Sequence, residues 1–167
     1  MSLYQFFASR TPIRTIENPY LFRFSINEFL AMGKEIPFNL HEKSVDRDEK
    51  IFFVFESEDL MDEISTYITQ GSPMADFDKI SDMTHFAVLE WRYTDKRAED
   101  LIRYMSTLVD DLDDGSEIEF WHVWMDDPLE DLETRKCKVE ELTVFIIREL
   151  FGNECYDHPI CLKLRKA

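Results

Sequence analysis

Glycine is scarce in this chain, with four in 167 residues. Each of the four stands where a helix is predicted to stop. Gly33 follows residues 25–32, Gly71 follows 58–70, Gly115 follows 95–114 and Gly152 follows 140–151. Glycine ends helices because it enters the left-handed region without a Cβ clash. With all four used this way, none remains for a glycine-rich phosphate-binding loop. Cysteine is scarce too. Cys137, Cys155 and Cys161 are odd in number and lack a tight pairing pattern. That argues against a disulfide scaffold and for reduced thiols in a reducing compartment. No apolar run approaches the ~20 residues needed to span a bilayer. The opening residues, Met1 to Phe7, carry no basic stretch followed by an apolar one. A cytoplasmic protein without a signal peptide is therefore expected.

Positive charge is also in deficit, with 19 basic residues against 35 acidic ones and a net charge of −16. The imbalance is uneven. Residues 95–133 hold 14 acids and 3 bases, a net of −11, whereas residues 134–167 net +2. A field of this sign repels phosphate backbones and anionic membranes, so neither a nucleic-acid nor a membrane partner is expected. It reads as a solvated face or as a docking surface for a basic protein, centred on Asp110, Asp111, Asp113, Asp114, Asp126 and Asp127.

What is present is apolar and aromatic. The chain is 44% hydrophobic and 14% aromatic, enough for a packed core. From residue 84 onward the periodicity is clear. Residues 84–93 alternate as a strand. Thr94 caps a helix whose Ala98, Leu101, Ile102, Met105, Leu108, Val109 and Leu112 form one stripe. Residues 116–125 form a strand that is apolar on both faces. A hairpin loop then leads to a strand over about 132–139; a helix capped by Asp127, with Pro128 at its first position, is the alternative reading. A helix over 140–151 and a strand over 158–165 complete the pattern.

The predicted fold class is α+β. Residues 83–167 are expected to form a ferredoxin-like βαββαβ domain, with two helices on one face of a four-stranded antiparallel sheet. Residues 1–82 read as an N-terminal β/α segment packed against it. That segment has a strand at 20–24, a helix at 25–32 capped by Ser25 and Glu28, a strand at 51–55 covered on both sides, and a helix at 58–70 capped by Ser57. Because the strand at 116–125 is apolar on both faces, something must cover the second one. The N-terminal segment and a second copy in a homodimer are the two candidates.

No catalytic motif emerges. Asp110 to Gly115 resembles a calcium loop only briefly, since Leu112 and Trp121 fall where ligands are needed. Cys155, His158 and Cys161 have a Cys-x2-His-x2-Cys spacing that supplies three ligands, one short of a closed zinc site. They read better as buried thiols and a loop histidine. No metal or cofactor is expected. Cys137 has no histidine placed beside it by the pattern, and a Gly-x-Ser-x-Gly elbow is missing. Trp91, Trp121 and Trp124 lie among apolar neighbours and read as packing residues.

Glu90, Arg92 and His122, with His85 nearby, fall on strands that a ferredoxin-like sheet would bring together. A carboxylate, a guanidinium and an imidazole on one face suit an anionic small molecule or a proton transfer. Two functions follow. One is a non-enzymatic binding module docking a basic partner, of the inhibitor, immunity or nucleic-acid-mimic kind. The other is a small-molecule site or minor enzyme at Glu90, Arg92 and His122.

Overall fold

The computed structural model describes residues 3–41, 46–68, 77–124, 129–152 and 158–166. In chain order the elements are β1 (Leu3–Ser9), β2 (Phe22–Ser25), α1 (Ile26–Ala31), β3 (Lys50–Val54), β4 (Ser65–Ile68), β5 (His85–Glu90), α2 (Asp95–Asp110), β6 (Glu117–Trp124), β7 (Glu133–Lys138), α3 (Val144–Phe151) and β8 (Ile160–Arg165). They fall into two compact units, residues 18–63 and residues 1–17 with 64–167. The class is α+β, as expected.

The larger unit is built on a six-stranded mixed sheet in the order β4-β5-β1-β6-β8-β7. Neighbours are antiparallel except β7 and β8, which run parallel. A ferredoxin-like order would seat β5 between β7 and β8 and make a hairpin of β6 and β7. Instead β5 pairs with β1 and β4, and β7 pairs with β8. The cause is β1. Leu3–Ser9 lies between β5 and β6, with Phe6 opposite Val88 on one side and Trp121 on the other. This N-terminal piece is therefore inside the sheet, and a boundary at residue 82 would cut through the unit.

Local chemistry explains most elements. Thr94 caps α2 by accepting the Arg97 N–H at 3.1 Å, and Thr143 caps α3 by accepting from Ile146 at 3.3 Å. A short 3-10 turn over Val139–Glu141 precedes α3, so that helix starts later than the period suggests. Gly115 ends the turn after α2 with φ +82°, the left-handed conformation expected of it. Gly33 is likewise at φ +72°, while Gly152 ends α3 in the right-handed region. Gly71 lies outside the described residues. The helix expected over 58–70 is instead a 3-10 turn at Glu58–Asp62 followed by β4. Glu63 is already extended, and Thr66, Tyr67 and Ile68 are residues that favour strands. Ser57 makes no capping hydrogen bond.

Both α2 and α3 pack on one face of the sheet, as expected. Their Leu101, Met105, Leu108, Ile147, Leu150 and Phe151 join Phe7, Ile118, Phe120, Leu162 and Leu164 in the main core. The other face is divided. Around Phe6, Ala8, Val88, Trp121 and Val123 it is apolar and covered by Phe77, Ile80 and Met83 from one loop and Leu129 and Leu132 from another. Toward β7 it becomes charged, with Glu119, Lys163 and Lys136 in one cross-strand row and Glu117, Arg165 and Lys138 in the next. The second face thus has its own cover for the apolar part and polar side chains for the rest.

The smaller unit pairs β2 with β3. Ser25 and Glu28 form the expected capping box at α1. Phe29 stacks on Phe52 with ring centroids 4.2 Å apart. Buried Asn18 closes the unit by donating to the carbonyl of Leu60 at 2.7 Å. The strand at 50–54 is not covered on both sides, because Phe53 is 59% exposed beneath the Arg23 guanidinium.

Replacing Leu101, fully buried in the main core, by Ala is expected to cost about 2–5 kcal/mol in urea unfolding. A cost under ~0.5 kcal/mol would be that of a surface position and would contradict this packing. Gly115→Val should destabilise by about 1–2 kcal/mol through its positive φ alone, since a Cβ there meets no atom within 4 Å.

Candidate functional site

The sheet separates the three residues expected to act together. His122 lies on the helix-covered face of β6, two positions from Phe120, with its ring centroid 6.1 Å from that of Phe151. Glu90 shares the face of Val88, on the other side of the sheet, beside Tyr67. Arg92 follows the end of β5 and is exposed. Arg92 and His122 do line one small cavity, of about 180 Å³, with Gln5, Trp91, Tyr93 and Phe151. Glu90 does not reach it.

Within that cavity a hydrogen-bonded chain fixes the state of His122. Trp91 Nε1 can only donate, and it donates to Gln5 Oε1 at 2.5 Å. The Gln5 amide nitrogen must then be the group that faces His122 Nδ1, at 2.7 Å. An amide N–H donates, so Nδ1 accepts, and the neutral ring carries its proton on Nε2. Burial, reinforced by the charge of His158, depresses the His122 pKa to about 4. The imidazole is thus neutral at physiological pH. Gln5 is the residue that sequence reasoning missed. It sits directly across from His122 because β1 runs beside β6, and no local pattern announces that pairing.

The opposite face holds a buried carboxylate. Burial alone would raise the pKa of Glu119. The hydrogen bonds from Lys163 Nζ at 2.6 Å, Ser81 Oγ at 2.5 Å and Trp121 Nε1 at 2.8 Å nevertheless hold it below the usual value. Each of its oxygens is therefore satisfied, which is the arrangement of a structural ion pair.

Four of the acidic candidates cluster at one place. Asp110 is the last residue of α2, Asp111 caps it, and Asp113 and Asp114 follow in the turn to β6; all four are exposed. The last turn of α2 has no basic residue, so these carboxylates face the negative end of the helix dipole. Arg14 reaches Asp111 at 3.0 Å. Asp126 and Asp127 lie outside the described residues.

The two described thiols are not activated. Burial pushes Cys161 up to about 12, and it also raises Cys137, together with the Glu141 charge. Cys155 lies outside the described residues. Among the described residues no group of three or more His, Cys, Asp or Glu side chains could hold a metal ion. Also among them, no helix is long and apolar enough to cross a membrane. No family model matches the chain, and neither a curated relative nor a similar solved structure is found.

The buried pair of titrating groups sets a pH dependence. Unfolded His122 protonates near 6.5, but the folded ring resists until about 4. The unfolded state therefore binds the extra proton in that window, and stability falls as pH falls through it. The loss reaches about 3 kcal/mol, at ~1.4 kcal/mol per unit, and levels off below pH 4. Glu119 acts in the same direction at lower pH, because its stabilising charge is lost as pH falls through its depressed folded pKa. Urea titrations across this range should show His122→Phe flattening the upper part of the curve. An unchanged slope would contradict the neutral buried imidazole.

Proposed function

We propose that this protein is a non-enzymatic binding module that docks a basic protein partner through the acidic end of α2. The observation that supports this reading is the exposure of Asp110, Asp111, Asp113 and Asp114 within one turn at a helix C-terminus. Anionic groups there cost the fold roughly 0.3–1 kcal/mol each. The Arg14 contact offsets little, since both side chains are largely exposed. Four carboxylates arranged at the expense of stability suit long-range attraction of a positively charged surface, which speeds encounter and weakens with salt. A homodimer is compatible with this reading but not required by it, as the apolar part of the second sheet face is covered within the chain.

A second reading, a small-molecule site, draws on the Trp91–Gln5–His122 chain. A preformed neutral imidazole beside an exposed arginine suits a polar ligand. The cavity of about 180 Å³ is smaller than the ~300 Å³ of common ligand pockets, so the docking reading is preferred.

The test compares capture from lysate of the source organism by the natural protein and by a variant with Asp110, Asp111, Asp113 and Asp114 all changed to Asn. The expected result is a basic protein that binds the natural chain at low salt, elutes at high salt and is lost with the variant. Equal capture by both, or no salt-released partner, would overturn the proposal.

A further inference from the structure

One corner of the sheet runs against the charge of the whole molecule. At the ends of β7 and β8, Lys138 and Arg165 are direct register partners. Like charges placed opposite one another destabilise a strand pair. In a chain with 35 acidic residues an internal carboxylate would be the simple remedy, and Glu117 stands directly across from Arg165 on β6. Its carboxylate is instead 3.6 Å from Lys136 Nζ. In the next row the carboxylate of Glu119 takes Lys163. Among the described residues, the side chains of Lys138 and Arg165 have no ion-pair or hydrogen-bond partner. Lys166 is beside them, its ammonium donating to the Leu112 carbonyl. These three cations, with Asp114, Ser116 and Glu117, line an open recess of about 440 Å³ at the start of β6.

We infer that this recess binds an oxyanion group, phosphate or carboxylate, carried by a small molecule. A guanidinium presents a planar fork that matches such oxygens, and the neighbouring ammonium adds a point charge. The recess is wide enough for the body of a metabolite-sized ligand. Asp114 and, less so because Lys136 is beside it, Glu117 oppose the anion, which limits affinity and favours ligands that also carry a cationic or donor group there. This site is separate from the docking surface except at Asp114, and it stands if that docking fails.

The experiment is an amide NMR titration of the full chain with inorganic phosphate and, separately, with succinate, at constant ionic strength set with chloride. The expected result is saturable shifts at Gly115, Ser116, Glu117 and Arg165. Lys138→Gln and Arg165→Gln should each weaken binding about tenfold, the effect of losing one charge-assisted hydrogen bond. Asp114→Asn should tighten it, and Lys96→Gln on α2 should leave it unchanged. Stronger binding of phosphate than succinate assigns the site to phosphoryl ligands, and the reverse assigns it to carboxylates. All the substituted side chains are at least partly exposed, so the variants should be no less stable than the natural chain, which their unfolding midpoints check. Linear, unsaturable shifts with both probes, or saturable binding that survives both cation substitutions, would overturn the inference.

Discussion

Leu3–Ser9 forms ladder hydrogen bonds with β5 along one edge and with β6 along the other, and every other part of the larger unit is arranged around it. Its Phe6 and Phe7 are fully buried on opposite faces. Phe7 stacks on Phe120 at 4.7 Å and meets Tyr104 of α2 edge-on at 5.5 Å. Phe6 stacks on Phe77 at 4.0 Å and lies parallel to Trp121 at 6.0 Å. Such ring pairs add about 0.5–1.5 kcal/mol each beyond the area they bury. One seven-residue strand thus joins the helix-covered core to the core beneath the two loops. It also delivers Gln5 to His122, so the polar chain in the small cavity depends on the same strand.

The charge of the molecule is sorted by place. Where the second sheet face is covered, it is apolar, and Glu119, the one buried carboxylate there among the described residues, is fully satisfied. Where the face is open, each cross-strand row sets one acid on β6 against a base on β8 and a second base on β7. The excess negative charge collects at the α2 terminus, outside the core. This division is how both faces of β6 can be apolar at their centre while its start, Glu117, is only partly buried.

Local chemistry made α2, β5, β6 and β8 legible. Thr94 followed by the Ala98-to-Leu112 stripe needs no distant contact to define a helix. The capping pair Ser25 and Glu28 is similarly local. β1 was illegible because it is apolar on both sides, like any strand in the middle of a sheet, and so shows no alternation. β4 was hidden by the helical spacing of Leu60, Ile64 and Ile68, which coincides with a 3-10 turn running into a strand. The alternation over 132–139 marks β7 as one of two readings of that segment but does not give its partner, since the choice between a hairpin with β6 and a parallel pairing with β8 depends on which edge β1 leaves open. The candidate site followed the same rule. His122 was visible as a polar residue in an apolar strand, but its separation from Glu90 and its pairing with Gln5 both follow from strand order. Lys138 and Arg165 carried a signal only in the excess of bases near the C-terminus.

The position of β1 also bears on how the chain is made. During synthesis this strand leaves the ribosome before either of its neighbours, since β5 and β6 follow at residues 85–90 and 117–124. At roughly 5–20 residues per second, the interval is on the order of ten seconds. Through that time a strand with Tyr4, Phe6 and Phe7 has neither of its neighbours, and its contacts are among the longest-range in the fold. Slow folding is the general consequence of such topology. For this protein it means that β1 waits on residues far along the chain, and that co-translational folding of the large sheet cannot begin from its centre.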